Sequence, residues 1–261
     1  MIPTPQTIEF AEFMLLTGFR KGSDHIWNAL AEQDPFQSKM GLGAGAYISE
    51  DYSQAEKCFK DALELAPDNY EAELALGYTL LELGSLDEAL ARFEKAAIHH
   101  PAKRSTLGAR GRAHARKGEF EIAHQLLGQA ALLEEHNYDV WIDYARCCGA
   151  IYDANGMVEA YNAALKCDPE RIEAYLELSH LQIMNDDFES ASRVFTLGWR
   201  DHNIREPLLY IRAAQVEEYL GDHELALFLI QEAAPLIQTD DPQFNWTVLW
   251  NEVFETVKPE S

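Results

Sequence analysis

The chain has 261 residues, 47% of them hydrophobic, with 44 acidic and 21 basic side chains and a formal net charge of −23. That charge argues against binding of nucleic acid or insertion at an anionic membrane by the chain as a whole, since both attractions need a basic face. No apolar run approaches the roughly 18 residues of a membrane span, so no membrane insertion is expected.

The first residues, MIPTPQTIEF, lack a basic start and a continuous apolar segment, the marks of a secretory signal. Cys58, Cys147, Cys148 and Cys167 show no metal-type C-x-x-C spacing. A reduced, cytoplasmic setting is therefore the expectation. Residues 1–35 carry Phe10, Phe13, Met14, Ile26, Trp27 and Leu30 at helical spacing, broken at Lys21-Gly22-Ser23. They read as an irregular helix pair covering the open apolar end of a helical stack.

From residue 36 onward one pattern recurs. Leu42-Gly43, Ala55, Phe59, Ala62 and Pro67 return 34 residues later as Leu76-Gly77, Ala89, Phe93, Ala96 and Pro101. A fixed period with small residues at set places marks stacked helix–turn–helix units. Helices approach closely only where small side chains cross, which predicts crossings of Gly43 with Ala55 and of Gly77 with Ala89. Phe59 and Phe93 lie four residues beyond the alanines and share their helix face. Pro67 and Pro101 lack an N–H and stop each unit.

The third unit holds Gly111, Gly118, Ala123 and Ala130, with Glu135 in place of the proline. The fourth holds Trp141, Ala145, Tyr161, Ala164 and Pro169. Met157 there takes the small crossing position, which predicts looser or shifted packing. The fifth holds Tyr175, Leu178, Ala191 and Phe195; the sixth, offset by one inserted residue, holds Tyr210, Ala214, Gly221, Ala226 and Ala233. In the tail, Trp246, Leu249, Trp250, Val253 and Phe254 fall on one helical face. It reads as a cap on the sixth unit, with a dimerisation face as the alternative.

The pattern resembles the tetratricopeptide repeat over about residues 36–240. The resemblance implies an all-α fold, a right-handed α-solenoid of about six such helix–turn–helix units with helical caps. Its expected domains are N-terminal capping helices in 1–35, a repeat array in 36–242, and a capping helix and tail in 243–261. The units run near 36–69, 70–103, 104–137, 138–171, 172–206 and 207–242. In such arrays the first helix of each unit lines a concave groove. The matching partner-binding positions here are Tyr47, Leu74, Tyr78, Arg112, Arg116, Arg146 and His180. The same resemblance adds Leu176, Glu177, Ile183 and Met184 in unit five, and Ile211, Arg212, Gln215 and Tyr219 in unit six.

Between Ala102 and Gly118 stand Lys103, Arg104, Arg110, Arg112, Arg116 and Lys117, with no acid among them. Guanidinium groups hold carboxylates by forked hydrogen bonds. One reading gives these arginines an acidic partner; the other pairs Arg112, Arg116 and Arg146 internally with Glu82, Asp143 and Glu177. One tetratricopeptide subclass grips a chaperone's terminal carboxylate with two Lys, two Asn and a further Lys or Arg. The matching positions here read Met40, Ala44, Ala75, Ser105 and Ala109, or Leu74, Tyr78, Ala109, Asp139 and Asp143. Neither frame holds that clamp.

Nothing in the pattern suggests an enzyme, a catalytic residue, a metal site or a cofactor. His99-His100 closes a helix, His114 takes a packing position, and His180 has no triad that can be argued around it. P-loop, G-x-G-x-x-G and H-E-x-x-H motifs are missing. The expected function is a non-enzymatic adaptor or scaffold holding a protein or peptide segment with acidic and apolar residues in its groove. A narrower form is a secretion or assembly chaperone. The rival is a self-associating scaffold, a homo-oligomer built through the repeats and the C-terminal helix.

Overall fold

The computed structural model describes residues 20–99 and 105–236, together with Met14 and Gly18. Thirteen α-helices and no strand lie among them. The chain divides into two compact units, one ending at Leu133 and one beginning at Glu134. The first contains α1 (Arg20–Leu30), α2 (Pro35–Ile48), α3 (Tyr52–Leu65), α4 (Tyr70–Glu82), α5 (Leu86–His99), α6 (Ser105–Arg116) and α7 (Phe120–Leu133). The second contains α8 (Tyr138–Ala150), α9 (Ala154–Cys167), α10 (Ile172–Met184), α11 (Phe188–Thr196), α12 (Pro207–Leu220) and α13 (His223–Ala233). Within each unit consecutive helices pack against one another as pairs, the arrangement of an α-solenoid.

Two devices punctuate the pairs, a side-chain cap shown in four of them and a left-handed residue in all six. The residue before the second helix accepts a backbone N–H on its side chain: Asp51 from Gln54, Asp153 from Gly156, Asp187 from Ser190, Asp222 from Leu225. Such caps satisfy donors that a helix start leaves open. One residue earlier the backbone turns left-handed. Gly84, Gly118 and Gly221 do so with φ of 79°, 80° and 85°, but Glu50, Tyr152 and Asp186 do so with φ near 60°, 60° and 59°. Three of six turns therefore carry a side chain where glycine is favoured.

The glycines of the first helices make room for a larger side chain. A methyl group on Gly43 or Gly77 would lie 2.6 Å or 2.4 Å from the ring of Phe59 or Phe93, and one on Gly111 would lie 2.6 Å from Leu127. The glycines thus receive the large residue of the second helix. Ala55 and Ala89 are fully buried in the same core. In the fourth repeat the looser packing expected around Met157 is not found: α8 and α9 pack as closely as the other pairs. Gly149, one turn beyond Ala145, gives the Met157 thioether its room, with 3.3 Å to a hypothetical methyl.

The residue inserted before the sixth repeat is absorbed in a π-helical turn at Leu197–Asp201, where His202 N–H donates to the Leu197 carbonyl five residues back. Such turns are single-residue insertions in a helix. Position four of the repeat, aromatic in the last three units, is Lys39 in the first and Glu73 in the second. Lys39 pairs with Asp61 at 2.7 Å and the buried Glu73 with Arg92 at 3.3 Å. At the start of the chain α1 packs on α2 by seating Trp27 over Gly41. The remaining residues of 1–19, and the cap expected in 243–261, lie outside the described residues. No described helix is long and apolar enough to cross a membrane.

Candidate partner-binding faces

In the first unit, Tyr47 on α2 and Leu74 and Tyr78 on α4 pack half-buried against a core containing Leu76, Leu80 and Phe93. Tyr78 sets its edge against Phe93 at 5.2 Å between ring centroids, and Tyr47 against Tyr52 at 5.4 Å. Arg116 on α6 reaches across to α4, donating to Glu82 at 2.8 Å and to the Leu81 carbonyl at 2.8 Å. Burial raises the Tyr47 phenol above its ordinary pKa, and the Glu82 charge adds to that while Arg116 opposes it. Tyr47, Tyr78, Glu82 and Arg116 therefore share one patch. Arg112 lies one turn before Arg116 on α6, half-buried.

Other members of the basic run also meet acids. Lys117 donates to Asp87 at 2.8 Å and lies 3.3 Å from Glu119, which also holds the His114 ring. Arg110 keeps its Nε buried without an acceptor among the described residues. Lys103 and Arg104 lie outside the described residues.

In the second unit Arg146 donates to Glu173 at 2.5 Å and lies 3.9 Å from Asp143. Its acid on α10 is thus Glu173 and not Glu177, one turn further on. His180 faces a cleft of about 640 Å³ between α10 and α12. Leu176 and Ile183 line one wall, Leu208 and Val216 the other, and Phe188 and Phe195 of α11 close the floor. Phe188 stacks on Tyr219 with centroids 3.8 Å apart and planes 20° apart. Tyr219 still leaves 68% of its surface open.

The charges of this cleft stand apart. Arg212 on α12 donates only to the neutral Gln215, at 3.0 Å, among the described residues. Glu177 on α10 has no ion-pair partner among the described residues, and the two do not join. Ile211, expected on this face, is instead 4% exposed and belongs to the core. The sequence pattern does not single out Phe188 or Leu208; Phe188 sits on a second helix, directly after the cap Asp187, where the repeat directs no attention.

A tetratricopeptide repeat family model matches residues 46–106. The BBSome complex member BBS4 of Bos taurus is 26% identical over 111 residues, covering 42% of this chain and 21% of that protein. The chain thus spans about a fifth of that relative's length. Among solved structures, PilF of Pseudomonas aeruginosa is similar with a TM-score of 0.64 at 16% identity, covering 85% of this chain and 97% of that one. A tetratricopeptide repeat protein of Parabacteroides merdae is similar with a TM-score of 0.59 at 15% identity, covering 96% and 97%. At such identities the likeness is one of fold. With the recurring residues, the paired helices and the family model in agreement, residues 46–106 match the tetratricopeptide repeat and the described helices share the fold of tetratricopeptide-repeat proteins.

Proposed function

We propose that this chain is a non-enzymatic, cytoplasmic interaction scaffold that holds a segment of a partner protein on the first-helix faces of its repeats. Tetratricopeptide repeats generally mediate protein–protein contacts. The observation that supports the reading most is the second unit's cleft, which keeps apolar wall and aromatic surface open beside His180 and Arg212. Apolar walls with a few placed polar groups are the ordinary composition of a binding cleft. In the first unit, Tyr47, Leu74 and Tyr78 offer an apolar anchor surface beside Arg112 and Arg116, and in the second Arg146 adds a further cation. That composition suits a partner with acidic and apolar residues. A chaperone role in secretion or assembly is the narrower form, favoured by the apolar face of the first two repeats. The bovine relative is a member of a complex, in keeping with an interaction role.

Photo-crosslinking tests the proposal. Benzoylphenylalanine placed at Tyr78 or Tyr219 on first helices should capture a partner in native cytosol, and placed at Ile122 or Leu227 on second helices should not. Equal capture from both sets, or crosslinks to further copies of this chain alone, would overturn it.

A further inference from the structure

The cleft of the second unit has oppositely charged walls. Glu177 extends from α10 and Arg212 from α12, both exposed, on either side of an apolar floor that includes Phe188. Elsewhere in this unit opposite charges find each other: Arg146 with Glu173, Arg171 with Asp139, Arg205 with Glu232. Across the cleft they do not, and Arg212 settles for the amide of Gln215. Resting on the scaffold reading above, we infer that the cleft recognises a segment of a partner protein in which one large apolar residue is flanked by an acidic residue on one side and a basic residue on the other. The apolar side chain enters between Leu176, Ile183 and the Phe188–Tyr219 stack. Its acidic neighbour meets Arg212, and its basic neighbour meets Glu177.

Recognition of this kind works by complementarity. A like charge brought against either wall is repelled and a missing charge leaves one wall without a partner, so the wrong sequence is rejected as well as the right one held. A segment acidic on both sides would press one carboxylate on Glu177. One that is basic on both sides would press an ammonium on Arg212. The opposed charges also fix the direction in which the segment lies.

Four short fluorescein-labelled peptides with a single phenylalanine test the inference by anisotropy. They carry glutamate on one side and lysine on the other, glutamine on both, glutamate on both, or lysine on both. On the unaltered protein the mixed peptide should bind about threefold to tenfold more tightly than the others. Arg212→Gln or Glu177→Gln should remove most of that advantage, and Tyr219→Ala should weaken every peptide that binds. The inference is overturned if the glutamine peptide binds as well as the mixed one, if a peptide with two like charges binds better, or if none binds. The comparison among peptides needs only the unaltered chain, so a variant that misfolds cannot obscure it. Should it fail while a native partner still crosslinks at position 78, the scaffold reading stands without this specificity. Loss of that crosslink would overturn the scaffold reading itself.

Discussion

The ring of Phe93 lies against the bare α-carbon of Gly77, so closely that a methyl group there would stand 2.4 Å from its Cε1 atom. Phe93 is fully buried, with Tyr78 edge-on to it, and the ring has nowhere to retreat. The same relation joins Gly43 to Phe59 and, with leucine as the larger partner, Gly111 to Leu127. One contact, repeated, sets how near the two helices of a unit can come.

Gly77→Ala should therefore destabilise the protein, although alanine is the better helix former by about 1 kcal/mol. Overpacking a closed core costs about 1–3 kcal/mol, and Gly77→Leu should reach or exceed the top of that range. Urea midpoints measure both. An unchanged midpoint for Gly77→Leu would mean that the ring can yield.

The opposite sign is expected at Tyr152. It holds φ near 60° on the turn between α8 and α9, with 94% of its surface exposed. Gly84, Gly118 and Gly221 take this conformation at the equivalent place in other repeats. A left-handed residue with a side chain costs about 1–2 kcal/mol, and little packing is lost by removing an exposed ring. Tyr152→Gly should raise stability by about 1 kcal/mol. A fall in thermal midpoint would show that the exposed ring contributes more than the turn costs.

Much of the fold was legible because its period is set by residues with few alternatives. Glycine, proline and the cap positions act through the backbone, and backbone requirements show directly in sequence. The side chain for which a glycine makes room was harder to read. Ala89 and Phe93 share one helix face, and only the geometry shows that Phe93 takes the space. Met157 misled because its compensation, Gly149, lies one turn away on the other helix. Among the site residues, Tyr47, Leu74 and Tyr78 were expected on a groove, and their packing half-buried against one core is what the structure adds. The acid chosen by Arg146 was not, since Glu173 and Glu177 are a turn apart and a long flexible side chain reaches either. Phe188 escaped because it closes the cleft from a second helix, whereas the repeat pattern directs attention to first helices.

Alkaline pH should unfold the second unit through its tyrosines. Burial pushes the phenols of Tyr144, Tyr161 and Tyr175 up to about 12. In the unfolded chain a tyrosine titrates near 10. The folded state thus holds its protons more firmly. The stabilisation is fully present below about pH 10 and is lost as pH rises toward 12. Thermal midpoints should be level from neutral pH to about 9 and then fall. Burial dominates the Tyr161 shift, and the Glu177 charge adds to it. Tyr161→Phe should leave neutral stability nearly unchanged and make the alkaline fall shallower. An identical fall in that variant would assign the loss to other groups.

An arginine that serves a partner can be told from one that only serves the fold. Arg116 donates to Glu82 and to the Leu81 carbonyl beside Tyr47 and Tyr78, and nearly half of its side chain is exposed. Exposed pairs of this kind contribute at most about 1 kcal/mol. Arg112→Ala with Arg116→Ala should accordingly shift the thermal midpoint little, while weakening the partner captured at position 78. The reason is local: without Arg116, Glu82 is left as a lone negative charge on the face where the partner's acid is to lie. Glu82→Gln makes the opposite change, releasing the guanidinium from its internal acid. It should hold the same partner as tightly as the unaltered protein or more so. Affinities of all three proteins for the purified partner decide the matter, read alongside their melting curves. If Glu82→Gln weakens binding as much as the arginine variant does, the Arg116–Glu82 pair merely braces α6 against α4. The acidic segment then binds elsewhere.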